Sequence, residues 1–140
     1  MFLDANILFS AAKADGAVRA LLRLLVEGGH EAVADAYVVT EARRNLASKG
    51  PEAPDALDGL LSRVTVAAAA SPAADLTSAR QVADLAWLPE KDRPVLAAAI
   101  HLGGDALVTG DRTHFGAGYG RVFGGVAIYS PRALGELILA

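Results

Sequence analysis

Met1-Phe2-Leu3-Asp4-Ala5-Asn6 opens the chain, and three apolar residues running straight into an acid decide its fold class. A run this short, closed by a carboxylate and followed by the helix-compatible Asn6-Ile7-Leu8-Phe9, fits a parallel strand buried on both faces. Such a strand delivers Asp4 to its carboxyl end, the edge at which open α/β sheets keep their sites. The arrangement recurs late in the chain, where Ala106-Leu107-Val108-Thr109 runs into Gly110-Asp111. A second acid is therefore expected at the same edge.

Between these two strands, apolar runs alternate with helical patterns. Residues 6–13 read as a short helix, and after Asp15-Gly16 an amphipathic helix carries Val18, Leu21, Leu22 and Leu25 until Gly28-Gly29 stops it. Ala32-Val33-Ala34 is a short strand, and residues 37–48 form a helix in which Val38, Ala42 and Asn45 neighbour Glu41 at helical spacing. Glu41 thus borders the buried face and can point back over the sheet edge. Residues 51–54 read as a turn, 55–63 as a helix and Val64-Thr65-Val66 as a third strand. The alanine-rich residues 67–74, with Ser71-Pro72 inside them, read as a loop before a helix over 75–86. Asp92 precedes Arg93-Pro94 and the apolar series Val95, Leu96, Ala99 and Ile100, which is a helix start with proline in its first turn. Residues 115–125 are glycine-rich, and within them Gly116-Ala117-Gly118-Tyr119-Gly120 lacks the spacing of a nucleotide-binding loop and has no helix after it, so a mobile loop is expected there. Residues 126–129 make a fifth strand, and Ser130-Pro131 opens a closing helix with Leu134, Leu137 and Ile138. The alternation predicts an α/β fold: three layers, α/β/α, around a five-stranded, mostly parallel sheet, in a single domain over residues 1–140.

Composition narrows the function. With 53% hydrophobic and 21% charged residues, the 140-residue chain packs a dense core and is not a disordered segment. Arg19, Arg23, Glu27 and Glu31 interrupt its most leucine-rich region and no basic leader precedes the first apolar residues, so a soluble cytoplasmic protein without a membrane span is expected. The chain has no cysteine, which excludes disulfides and thiolate metal sites; any metal must be held by oxygen or imidazole. Thirteen basic against 16 acidic side chains give a formal charge of −3, which excludes wrapping of nucleic acid by bulk charge and leaves that role to local basic patches.

Each acid, taken singly, has a local explanation. Asp4 and Asp92 can cap helices, Asp111 can serve a turn, and Glu41 can be an ordinary surface acid. Their joint placement asks for more. Two acids at strand ends and two near the first turns of helices share one sheet edge, where their repulsion is costly unless a cation is bound. Hard oxygen donors, without cysteine or paired histidines, suit Mg²⁺ or Mn²⁺ and so phosphate chemistry, the hydrolysis of a phosphodiester or phosphomonoester. Arg43, Arg44, Lys91, Arg93, Arg112 and His114 flank the acids and are candidates for holding phosphates. His30 and His101 belong to no constellation and read as structural.

Met1-Phe2-Leu3-Asp4-Ala5-Asn6-Ile7-Leu8, Glu41 within Val39-Thr40-Glu41-Ala42-Arg43, Lys91-Asp92-Arg93-Pro94-Val95-Leu96, and Leu107-Val108-Thr109-Gly110-Asp111-Arg112-Thr113-His114-Phe115 together resemble the successive motifs of PIN domains, in order and in spacing. The resemblance implies a Mg²⁺- or Mn²⁺-dependent ribonuclease on single-stranded RNA, similar to the VapC-type toxins of prokaryotic toxin-antitoxin pairs. It implies Asp4, Glu41, Asp92 and Asp111 as catalytic metal ligands. Asn6 and Thr109 would support them, with Arg43, Arg93 and Arg112 also on the substrate side. It further implies a homodimer and a cognate antitoxin. Thr113 stands where many relatives carry a further acid, a departure that bears on a second metal site and keeps a rival open: a PIN-like module that binds RNA or protein with little catalysis. A haloacid-dehalogenase-like phosphatase needs an acid where Asn6 stands. A response-regulator receiver needs one at the end of the third strand, where Val66-Ala67 stands.

Overall fold

In the computed structural model of the protein, which describes residues 1–68 and 79–139 with the side chains of 79–82 excepted, the opening strand lies inside the sheet. β1 (Phe2–Leu3) is fully buried and runs parallel to β2 (Val33–Asp35) on one side and to β4 (Ala106–Val108) on the other, with Leu3 opposite Val108. β3 (Thr65–Ala67) extends the sheet beyond β2, and β6 (Val126–Tyr129) extends it beyond β4, both in parallel. Burial on both faces is what near-continuous apolar strands such as Ala106-Leu107-Val108 require.

Among the described residues the sheet has six strands, in the order β3-β2-β1-β4-β6-β5, one more than expected. The additional β5 (Val122–Phe123) pairs antiparallel with β6 inside the glycine-rich stretch, just past the segment read as a mobile loop. Gly124 and Gly125 explain it: both take positive φ, 56° and 84°, which a two-residue hairpin turn demands and other residues resist. Upstream, α7 (Arg112–Phe115) leads into a 3-10 turn (Gly116–Gly118) that takes the place of the expected mobile loop. They are pinned by Trp87, whose ring stacks on Phe123 at 4.8 Å and meets Phe115 edge-on at 6.2 Å. The glycines here let the backbone approach that aromatic cluster.

The helices are α1 (Ala5–Lys13), α2 (Ala17–Glu27), α3 (Ala36–Leu46), α4 (Glu52–Leu61), α5 (Ala79–Ala86), α6 (Arg93–His101) and α8 (Pro131–Leu139). α1 packs against α2, α3 and α4, and α8 against α2 and β6, whereas α5 and α6 form a separate pair with α6 on β4, giving the three-layer α/β/α fold. α4 starts earlier than the turn expected at 51–54 allowed, because Pro54 sits in its first turn, where no backbone N–H is needed. Most of the loop expected over 67–74, and the start of the helix expected over 75–86, lie outside the described residues. Among the described residues no helix is long and apolar enough to cross a membrane.

Candidate metal centre

Because Leu3 and Val108 are in register, the residues that follow them leave the sheet side by side. Asp4 is 6% exposed and held through both oxygens: Oδ1 accepts the Ala5 N–H at 2.7 Å, and Oδ2 accepts Asn6 Nδ2 at 3.0 Å and Thr109 Oγ1 at 2.8 Å. Asn6 Oδ1 in turn accepts the Gly110 N–H at 2.7 Å, and Thr109 Oγ1 accepts the Asp111 N–H at 3.2 Å. These bonds latch the start of α1 to the turn after β4, so the positions of Asp4 and Asp111 are fixed relative to each other. Burial pushes the Asp4 carboxyl from its ordinary 3.8 up to about 6, with repulsion from Glu41 and Asp92 adding to it and the Thr109 and Ala5 donors opposing it.

Asp92 stands at the N-cap of α6 yet makes no side-chain cap bond. Its Oδ2 instead lies 3.0 Å from His114 Nδ1. Burial raises this carboxyl as well, with His114 and Lys91 opposing and Asp111 adding to the rise. Asp111 divides its two oxygens. Oδ1 accepts the His114 backbone N–H at 3.1 Å and caps α7, while Oδ2 lies 2.8 Å from His114 Nδ1. Asp92 Oδ2 and His114 Nδ1 are both buried without a hydrogen-bond partner.

Glu41, half-buried on α3, completes the group: Asp4, Glu41, Asp92 and Asp111 line one cavity of about 1020 Å³. Asn6, Arg44, Lys49, Lys91, Arg112 and Arg132 line it too. Hard carboxylate oxygens, those of Asp4 and Asp92 with raised proton affinity, beside an orphaned buried oxygen, fit a divalent cation of the Mg²⁺ type.

Three residues expected on the substrate side are placed otherwise. Arg43 pairs with Asp58 of α4 at 2.8 Å, outside the cavity lining. On α3, Arg44 and Asn45 follow Glu41 at the i+3 and i+4 positions that share its face, whereas Arg43 at i+2 does not; that spacing was the available signal for Arg44. Arg93 donates to Leu88 O at 2.9 Å and Ala86 O at 3.4 Å, tying the end of α5 to α6. Thr109 is fully buried, out of reach of a ligand, and positions Asp4. Tyr119, inside the supposed mobile loop, lines the cavity and donates to Thr109 O at 2.9 Å. Thr113 is exposed and outside the lining.

The chain shares its fold with VapBC2 from Rickettsia felis, solved as a crystal structure bound to a DNA fragment from their promoter: TM-score 0.61, 17% sequence identity, 92% of this chain and 96% of that chain covered. No curated protein sequence matches significantly. A family model described as PIN domain matches residues 1–113, from β1 through the turn after β4. That match takes in all four acids, and on its strength the chain belongs to the PIN domain family, whose members are generally nucleases that use divalent metals.

Proposed function

We propose that the protein is a metal-dependent endoribonuclease that hydrolyses phosphodiester bonds of single-stranded RNA, working in the cytoplasm as the toxin of a toxin-antitoxin pair. One observation carries the reading: four carboxylates from β1, α3, α6 and the β4 turn line one cavity together with Arg44, Lys49, Lys91, Arg112 and Arg132. The acids would hold Mg²⁺ or Mn²⁺, which lowers the pKa of a bound water and offsets charge on the phosphoryl oxygens. The chain's own residues do the rest. The Asn6–Thr109 latch keeps the Asp4 carboxylate from turning, and the cations around the acids bind phosphates without reading bases. A neutralised strand can then enter an acidic cavity that would otherwise repel it. The family membership and the fold shared with VapBC2 support a cognate antitoxin, and we read the chain as a single domain over 1–140 acting as a homodimer.

The position of Thr113 favours catalysis over the binding-only rival. An exposed side chain outside the cavity takes nothing from the four acids when it is not itself an acid. The test is cleavage of a labelled single-stranded RNA with Mg²⁺ or Mn²⁺, in EDTA, and by the Asp4→Asn and Asp111→Asn variants with circular dichroism unchanged. Cleavage is expected only in the wild type with metal. Persistence in EDTA or in either variant would sink the proposal, and RNA binding without any cleavage would establish the rival.

A further inference from the structure

His114 lies three residues after Asp111 on α7, the spacing that places two side chains on one face of a helical turn. Its Nδ1 stands 2.8 Å from Asp111 Oδ2 and 3.0 Å from Asp92 Oδ2. At such separations a hydrogen bond is expected, yet neither contact has the direction of one, and both His114 Nδ1 and Asp92 Oδ2 stay without a partner. A protonated imidazole serving only as a counter-ion would turn its N–H onto one oxygen, because the charge-assisted bond is the strongest contact within its reach. A cation shared among the three atoms accounts for their closeness without a directed bond between them. In octahedral coordination with bonds of about 2.1 Å, neighbouring ligands stand about 3 Å apart. The imidazole keeps that separation from both carboxylates, and the three donors lie within 4.8 Å of one another.

We propose that His114 Nδ1 is a direct ligand of the divalent cation, completing a set of two carboxylates and one imidazole with Asp92 and Asp111, and that it biases the site toward Mn²⁺ over Mg²⁺. The inference rests on the metal-dependent reading above. Mg²⁺ prefers oxygen and water and gains little from nitrogen, whereas imidazole is a serviceable donor to first-row transition ions. His114 thus brings to the centre the extra donor that the exposed Thr113 does not.

The experiment is titration of Mn²⁺ into the purified protein near neutral pH, followed by electron paramagnetic resonance, with spin-echo modulation used to detect nitrogen coupled to the bound ion. Wild type is expected to show imidazole nitrogen coupling that His114→Gln abolishes. Loss of a direct ligand should weaken Mn²⁺ binding by about tenfold or more while the Mg²⁺ affinity derived from competition changes by less than about twofold. His114→Asp, which keeps a donor of the oxygen class, should restore binding without the nitrogen signal and shift preference toward Mg²⁺. Bound Mn²⁺ without nitrogen coupling, or coupling that survives His114→Gln, overturns the ligand assignment and leaves the carboxylate centre standing. Failure of wild type to bind either ion overturns the assignment and the metal-dependent reading together.

Discussion

Replacing Asp4 by Asn should alter stability in a way that depends on pH, and the size follows from the burial of this side chain. Asp4 holds its proton up to about pH 6 rather than its ordinary 3.8, first because burial disfavours the charged form and then because Glu41 and Asp92 repel it, against the pull of the Thr109 and Ala5 donors. A carboxyl that binds its proton more tightly folded than unfolded costs nothing below both values. The cost of ionising it accumulates as pH rises between them and is complete above about 6. At roughly 1.36 kcal/mol per pH unit, the gap from 3.8 to about 6 amounts to about 3 kcal/mol. Asparagine has no charge to bury, so this component disappears. Its amide leaves one oxygen fewer for the donors on Ala5, Asn6 and Thr109, a pH-independent loss of about 1–2 kcal/mol. The unfolding free energy of Asp4→Asn minus that of wild type should therefore grow by about 3 kcal/mol between about pH 3 and about pH 7, whatever its sign at the acid end. Urea titrations in EDTA, read by the fluorescence of the single Trp87, measure that difference. Saturating Mg²⁺ or Mn²⁺ should shift the comparison back toward wild type near neutral pH, since a ligand of the folded state stabilises it and the variant forfeits a ligand. A difference that stays flat across the range, or that shrinks with rising pH, would refute the electrostatic account of this residue.

Arg44→Ala should weaken binding of labelled single-stranded RNA in EDTA and reduce the salt slope by about 0.7, whereas Arg43→Ala, which removes only a surface pair with Asp58, should leave both unchanged; fluorescence anisotropy over a salt series separates the two. Thr109→Val removes a fully buried hydroxyl that donates to Asp4 and accepts from Asp111, and should cost about 1–3 kcal/mol in urea melts. The same variant should move the acid limb of the cleavage pH profile upward, because Asp4 loses the donor that favours its ionised form. Gly118→Ala should cost about 1–3 kcal/mol by overpacking, since its Cβ would come within 2.4 Å of the Trp87 ring; an unchanged urea midpoint would show that the aromatic cluster yields freely.

The central strands were legible because their signal is local. Leu3 and Leu107 need no partner to be recognised as parts of short apolar runs closed by acids, and the alternation with helices fixes parallel pairing. β5 was not legible from its own residues. Two residues carry no period, and the strand exists because Gly124 and Gly125 turn the chain back onto β6 while Phe123 finds Trp87 across the fold. The glycine pair was a readable hairpin signal. The Trp87 contact was not, since it joins residues far apart in sequence. Spacing could have separated Arg44 from Arg43, but the pairing of Arg43 with α4 depends on how the helices meet.

The acids themselves were open to two readings, helix cap or ligand, and the structure shows that the two are compatible. Asp35 ends β2 much as Asp4 follows β1, is equally buried, and accepts the Val38 N–H at 3.0 Å; it is a cap, absent from the cavity lining. Asp92 occupies a cap position and declines the role, which leaves an orphaned oxygen facing His114. Asp4 and Asp111 cap with one oxygen, which bonds the backbone of the helix that follows, and keep the other turned toward Thr109 or His114. A carboxylate has about four lone-pair sites, so capping a helix does not exhaust it. A helix start after a strand is also where the chain crosses the sheet edge, so the bond that caps the helix holds the second oxygen at the place where acids from other strands arrive. Whether such an acid becomes a ligand is then decided by which neighbours meet it there, a property of the assembled fold that no tripeptide around Asp35 or Asp92 contains.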